Sequence, residues 1–445
     1  MNNFSKLGFI LATLGSSIGL GHIWRFPYMA GTSGGGAFVL LFVAITFVIG
    51  VSMLIAEMVM GNQAKTNVQD AYKNLDASKG QKWEYVGFTV IGGPLILTFY
   101  CVILGWVLYY LFYVSFDLPQ TLESSNKMFE NLVEQNMLIQ ILAFFAVVAS
   151  TGYFVSRGVK SGIESLNFVL MPLLFIIFIG LLVYAMTLDS FGKGWEFMFH
   201  VDFTKIDSKV LVDALGQVFF SLSLGVGIII TYAASTEKNQ NLFTSAMWVV
   251  IPGILISLIA GVMIFTFVFE YNAEPSAGPG LIFVTLPLVF AKMGLAGNII
   301  CVLFMIGLAF AGISSTVSLL EPAVKWLEDK TSLNRFKAAW ILSFLIFIVG
   351  VVLIFSLNPE YTKFLSIYGK NLFDWADWLS ANIIMTLGGL ASCVFVGWGI
   401  NKEKLRSFTE HFLKGVSFDL WLFSLRFLAP VTVIVILLHK FLESL

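Results

Sequence analysis

About eleven stretches of roughly twenty mostly apolar residues, centred near 18, 48, 100, 145, 175, 222, 257, 310, 346, 387 and 430, succeed one another along the 445-residue chain. Each is long enough to cross a hydrocarbon layer, which takes about 20 apolar residues as a helix. The fold class this predicts is an all-α integral membrane protein, and the composition agrees: 58% hydrophobic, 12% charged, mean hydropathy +0.87. The longest polar stretches, about 62–84 and 188–208, have room for a helical turn or two but not for a domain, so residues 1–445 read as one unit. "SAGPGLIFVTLPLVFA", residues 276–291, is apolar but broken by Pro279 and Pro287 and too short to span; it reads as a re-entrant or lid segment.

Basic residues set the orientation. With the N-terminus in the cytoplasm, the inner loops carry Lys65, Lys73, Arg157, Lys160, Lys238, Lys325, Arg335, Lys402 and Arg406, whereas the outer ones hold acids such as Asp117, Glu123 and Glu130. The six residues before the first span are too few for a signal peptide's basic region, so no cleavage is expected. Cys101, Cys301 and Cys393 fall inside spans and read as small core residues. The one Asn-x-Ser/Thr sequon, at Asn3, is on the cytoplasmic side, which fits a bacterial inner membrane.

Two spans carry the same interruption. "SIGLGHI", Ser17–Ile23, recurs as "SLGVGII", Ser223–Ile229, five spans later. Five is odd, so the second copy enters the membrane from the opposite side, and the two copies define inverted halves of about 7–187 and 209–400, with an extra helix at about 417–442. Glycine weakens a helix, and unwound backbone is tolerated at membrane depth only where it lines a cavity. Paired interruptions in inverted halves point to a transporter's midplane site. A pair of G-x-G motifs could also serve close helix packing alone.

The segments "GFILATLGSSIGLGHIWRFPY", "GGGAF" from Gly34, "GQVFFSLSLGVGIIITYAA" from Gly216, "FAGISSTVSLLEP" from Phe310 and "FDWADW" from Phe373 resemble the neurotransmitter:sodium symporter family, bacterial members included. The match runs through nearly the whole chain, without the usual twelfth span. It implies a LeuT-type 5+5 inverted repeat with broken helices 1 and 6. It also implies a sodium site at Gly15, Ile18, Ala311, Ser314 and Ser315. The implied amino-acid pocket has the amides of Leu20 and Gly21 and the Tyr100 hydroxyl for the carboxylate. Ser17, Phe220 and Ser223 carbonyls take the ammonium, and Ile96, Phe220, Val226, Leu319 and Ser315 surround the side chain. Arg25 and Asp377 would close an outer gate above Phe220, and Glu57 would tie the broken helices together. Val226 stands where a bacterial leucine carrier has a bulky aromatic, which predicts a roomier pocket.

The departures from the family pattern concern ions. Two asparagines of a second sodium site are replaced by His22 and Gly253, and the tyrosine of a chloride site is Phe42, although Gln217, Ser221 and Ser257 remain. One sodium per substrate and no chloride are therefore expected. His22 could present a positive charge to the substrate carboxylate, or as a neutral ring hydrogen-bond Glu57 or a carbonyl. The resulting expectation is sodium-coupled import of a neutral, hydrophobic or aromatic amino acid. Its partners would be that small molecule and membrane lipid, with no nucleic acid. A non-transporting amino-acid sensor on the same fold is the alternative. Enzyme chemistry is not expected, because His22, His200, His411 and His439 lie in separate elements with no paired nucleophile.

Overall fold

The computed structural model describes residues 3–78, 82–273, 278 and 280–443. Among these, eight helices are long and apolar enough to cross a bilayer: α2 (Gly36–Ala64), α3 (Lys82–Phe116), α4 (Met137–Ser156), α5 (Val159–Ala185), α7 (Leu242–Glu270), α8 (Leu295–Lys330), α9 (Arg335–Leu357) and α11 (Val416–His439). A ninth crossing is a bent pair, α1a (Lys6–Ser17) and α1b (Gly21–Thr32), which meet at 49°. Two irregular segments complete the eleven: α6, split into α6a (Ser208–Ser221) and α6b (Ile228–Ala234), and α10, helical over 372–399 with a change of winding near its middle. The polar stretches carry short helices, Val68–Leu75 and Phe191–Phe199. Of the expected lid, Ser276, Ala277 and Pro279 lie outside the described residues, and the rest forms the apolar helix Leu281–Lys292, too short to span.

Helices pack against their counterparts in the other half: α1a on α6b, α2 on α7, α3 on α8 and α4 on α9. This is the LeuT-type inverted repeat. Large apolar side chains such as Leu142 and Phe145 on α4, Ile176 and Val183 on α5 and Phe344 and Ile348 on α9 are exposed, as a lipid-facing surface requires. By contrast α2, α3 and α7 are mostly buried and form the core around the two breaks.

Both breaks fall in the repeated heptads. The α1a helix ends where Ile18 takes ψ 83°. In α6 the chain passes through three left-handed residues, Ser223 at φ 53°, Gly225 at φ 85° and Gly227 at φ 79°. Gly225 is required twice over: its φ disfavours a side chain, and a Cβ there would lie 2.5 Å from the Gly389 amide of α10. The first serine of each heptad crosses to the other break. Ser17 Oγ donates to the Ser221 carbonyl at 2.7 Å, and Ser223 Oγ donates to the Ser16 carbonyl at 2.9 Å. Glu57 of α2 anchors the second break, its Oε1 accepting from the Gly225 amide at 2.9 Å and from Ser392 Oγ at 3.1 Å.

Candidate functional site

A continuous helix would satisfy the Gly15 and Ser16 carbonyls with the amides of residues 19 and 20. Here the Gly19 amide turns to the Ser17 carbonyl at 2.9 Å, and the Leu20 amide donates to Tyr100 Oη at 3.1 Å. Two carbonyls are thus released at the electronegative end of a half-helix. Hydroxyls of α8 meet them. Ser314 Oγ lies 2.9 Å from the Gly15 oxygen and 2.8 Å from the Ala311 oxygen, and Ser315 Oγ lies 3.2 Å from Gly15 O and 3.4 Å from Ser16 O. The bond to Ala311 is ordinary back-bonding within a helix, but those to Gly15 and Ser16 cross between helices. Gly15, Ala311, Ser314 and Ser315 therefore converge, and Ile18 follows on the same chain end. Oxygens converging without a carboxylate suit a hard monovalent cation, since unwound carbonyls and half-helix C-termini are its ligands in such folds.

Between the breaks lies a cavity of about 30 Å³, lined by Ser16, Ser17, Gly19, Gly21, Ile96, Tyr100, Phe220, Ser223, Val226, Ser315, Leu319 and Met385. Of the expected substrate residues, only Leu20 and His22 do not line it, and Leu20 contributes through its bond to Tyr100. The extra room expected beside Val226 is not open in this conformation. A cavity needs about 10–15 Å³ open to a water-sized sphere to hold one water, so this one has room for a few waters and an amino acid enters only when the walls part. Flexible Met385 and partly buried Phe220 are the walls best able to move. Larger clefts, of about 600 and 380 Å³, have other linings, centred on Lys193, Glu196 and His200 in one and Arg157, Glu321 and Arg335 in the other.

Above the cavity the Arg25 guanidinium lies over the Phe220 ring, 4.6 Å from its centroid, a cation–π contact. Asp377 and Asp213 are the carboxylates whose charge acts on Arg25. Asp213 also accepts from Ser33 Oγ at 2.9 Å. The charges acting on Arg25 thus come from α6a as well as from the expected acid on α10.

His22 is 1% exposed and packs on α7. A Cβ on Gly253 would stand 3.1 Å from His22 Nε2, so the two departures compensate in volume: the larger ring on α1b takes space that a side chain on α7 gives up. The alternative in which His22 bonds Glu57 is not realised, since Glu57 Oε1 is held by Gly225 and Ser392 while Oε2 has no hydrogen-bond partner among the described residues. Phe42 packs on Phe26 with centroids 4.9 Å apart. Gln217 spends its Nε2 on the Gly21 carbonyl at 2.8 Å and on Ser221 Oγ at 2.9 Å.

Two inverted halves, a broken helix in each, and a cation-type oxygen cluster beside an enclosed cavity define a secondary transporter of the LeuT type. A family model described as the sodium:neurotransmitter symporter family matches residues 2–136 and 122–444. The chain belongs to that family. It is 34% identical over 440 residues to YhdH of Bacillus subtilis (strain 168), described as an uncharacterized sodium-dependent transporter, covering 98% of this chain and 96% of that one. A Haemophilus influenzae protein of the same description is 33% identical, covering 98% and 97%. The crystal structure of MhsT in complex with L-phenylalanine matches with a TM-score of 0.89 at 36% identity, over 98% of this chain and 99% of that one. Family and fold are those of membrane transporters, and the coupled ion is sodium.

Asp213 and Met385 were not anticipated from sequence. Asp213 carried a readable signal, a charged side chain within an apolar span, but Met385 carried none.

Proposed function

We propose that the protein imports a neutral hydrophobic or aromatic L-amino acid across a bacterial inner membrane, with its N-terminus in the cytoplasm, using one sodium ion per substrate and no chloride. The observation that carries this reading is the placement of a mostly apolar cavity, with the Tyr100–Leu20 pair at its polar end, directly against the Gly15, Ser314 and Ser315 oxygens. Ser315 belongs to both groups, lining the cavity and bonding Gly15. Sodium and the substrate carboxylate would then stabilise one closed state together, which is the thermodynamic content of coupling. The side-chain walls Ile96, Val226, Leu319 and Met385 offer no charge to a substrate side chain. That MhsT binds L-phenylalanine supports the same class.

The ion count rests on local chemistry. An anion needs donors, and with both N–H groups of Gln217 spent on protein acceptors and none on the Phe42 ring, only the Ser221 and Ser257 hydroxyls are left to supply them. At the place of a second sodium, His22 and Gly253 supply an imidazole and no amide oxygen.

The test is uptake of labelled L-phenylalanine in the presence of each common amino acid in excess, with sodium titrated and chloride exchanged for gluconate. Leucine, tyrosine and tryptophan should compete strongly and alanine weakly. Selectivity among the large ones should be loose, because one buried methylene is worth only ~0.8 kcal/mol. Sodium activation should have a Hill coefficient near one, and gluconate should support full uptake. Competition by acidic or basic amino acids alone would overturn the pocket reading, and cooperative sodium activation or a strict chloride requirement would overturn the ion count.

A further inference from the structure

Asn167 lies in α5, outside the expected ion site, and is fully buried at the start of the apolar run that continues to Ala185. Its Nδ2 donates to the Ile163 carbonyl one turn back at 2.9 Å, which fixes the amide and turns Oδ1 the other way. Oδ1 has no hydrogen-bond partner among the described residues. It is directed at Gly15 so closely that a Cβ on Gly15 would collide with it, and the same Cβ position is 3.2 Å from Ser314 Cβ. Oδ1 of α5 and the Ser314 side chain therefore both border the Gly15 α-carbon in the last turn of α1a.

A buried amide oxygen without a donor is unfavourable, and a leucine of similar size would fill the space without that penalty. Packing alone leaves the oxygen unexplained. A hard cation accounts for it, because its ligands are oxygens and Asn167 supplies one without a donor beside the five, all from α1 and α8, that the reading from sequence supplies. We propose that Asn167 Oδ1 is a further sodium-contacting oxygen, which makes the site a junction of three helices, α1a, α5 and α8. This rests on the sodium site proposed at Gly15, Ala311, Ser314 and Ser315. Gly15 is then a glycine for two reasons: it lets its own carbonyl approach Ser314, and it leaves room for the Asn167 oxygen.

The experiment is a sodium titration of the purified full-length protein in detergent without substrate. Ionic strength is held constant with N-methylglucamine, and the shift in thermal unfolding temperature is read for wild type, Asn167→Leu, Asn167→Ala, Asn167→Asp and the Ser314→Ala/Ser315→Ala double variant. Wild type should be stabilised by sodium and the double variant should not. Asn167→Leu and Asn167→Ala should each raise the half-saturating sodium concentration about tenfold, equivalent to about 1.4 kcal/mol. Asn167→Asp, which keeps an oxygen in place, should stay at or below the wild-type midpoint. The alanine variant carries the test if the leucine variant does not fold. Wild-type midpoints in the leucine or alanine variant, with only the sodium-free unfolding temperature changed, would return Asn167 to packing and overturn the proposal. A wild type without a sodium response, or a double variant that keeps it, would instead remove the sodium site on which the proposal rests.

Discussion

Replacing Ser314 and Ser315 together by alanine is expected to abolish sodium-driven uptake while leaving a folded protein in the membrane. The two hydroxyls are the cross-helix partners of the Gly15 carbonyl, and Ser315 also reaches Ser16. Removing them takes two of the five expected sodium oxygens. The structural cost is small by comparison, roughly 1 kcal/mol for each hydrogen bond lost, and partly offset because alanine is a better helix former than serine. Uptake and thermal unfolding of the same preparation separate the two effects. Sodium-driven transport at a normal rate in a well-folded double variant would remove the ion site from the account.

The second large effect is at Glu57. It is 1% exposed, and its one bonded oxygen holds both the Gly225 amide and Ser392, whose Oγ lies 3.0 Å from Tyr72 Oη. Glu57→Leu loses two hydrogen bonds and leaves the Gly225 amide buried without an acceptor. At about 1 kcal/mol for each bond and a further 1–3 for the orphaned group, the loss is roughly 3–5 kcal/mol. It falls on the turn that holds Ser223, Gly225 and Gly227 in left-handed conformations, so transport should disappear along with stability. Glu57→Gln keeps an acceptor oxygen and should retain more than half of the stability. Equal thermal unfolding of the leucine variant and wild type would show that the second break is held by other contacts.

Much of this architecture is written locally. Hydropathy places most of the segments, because every backbone group in lipid must be satisfied within its own helix, while the split α6 and α10 are legible only as apolar stretches too irregular to pass as one spanning helix. The repeated Ser-x-Gly-x-Gly marks both breaks, and the exchange of hydrogen bonds by Ser17 and Ser223 gives that repetition a structural meaning. What could not be read depends on what stands opposite. Asn167 is one polar residue in "SLNFVLMP", and only the fold brings it to Gly15. Asp213 matters because α6a carries it to the C-terminal end of α1b, where Ser33 donates to it and its charge acts on Arg25. His22 and Gly253 differ from the family pattern in the sequence, but that they fill and vacate the same space depends on how α1b crosses α7. The narrow cavity, lined by Phe220 and Met385 among others, is a property of one conformation, and composition carries no information about it.

The central claim is that this site moves an amino acid with sodium and does not merely bind it. The most direct measurement is accumulation of labelled L-phenylalanine in sealed proteoliposomes under an inward sodium gradient, with potassium inside. The account predicts that the internal concentration rises above the external one, then falls back to it when a sodium ionophore collapses the gradient. Saturable sodium-dependent binding to the protein, with no accumulation at any gradient, would contradict it and leave a sensor built on a transporter's frame.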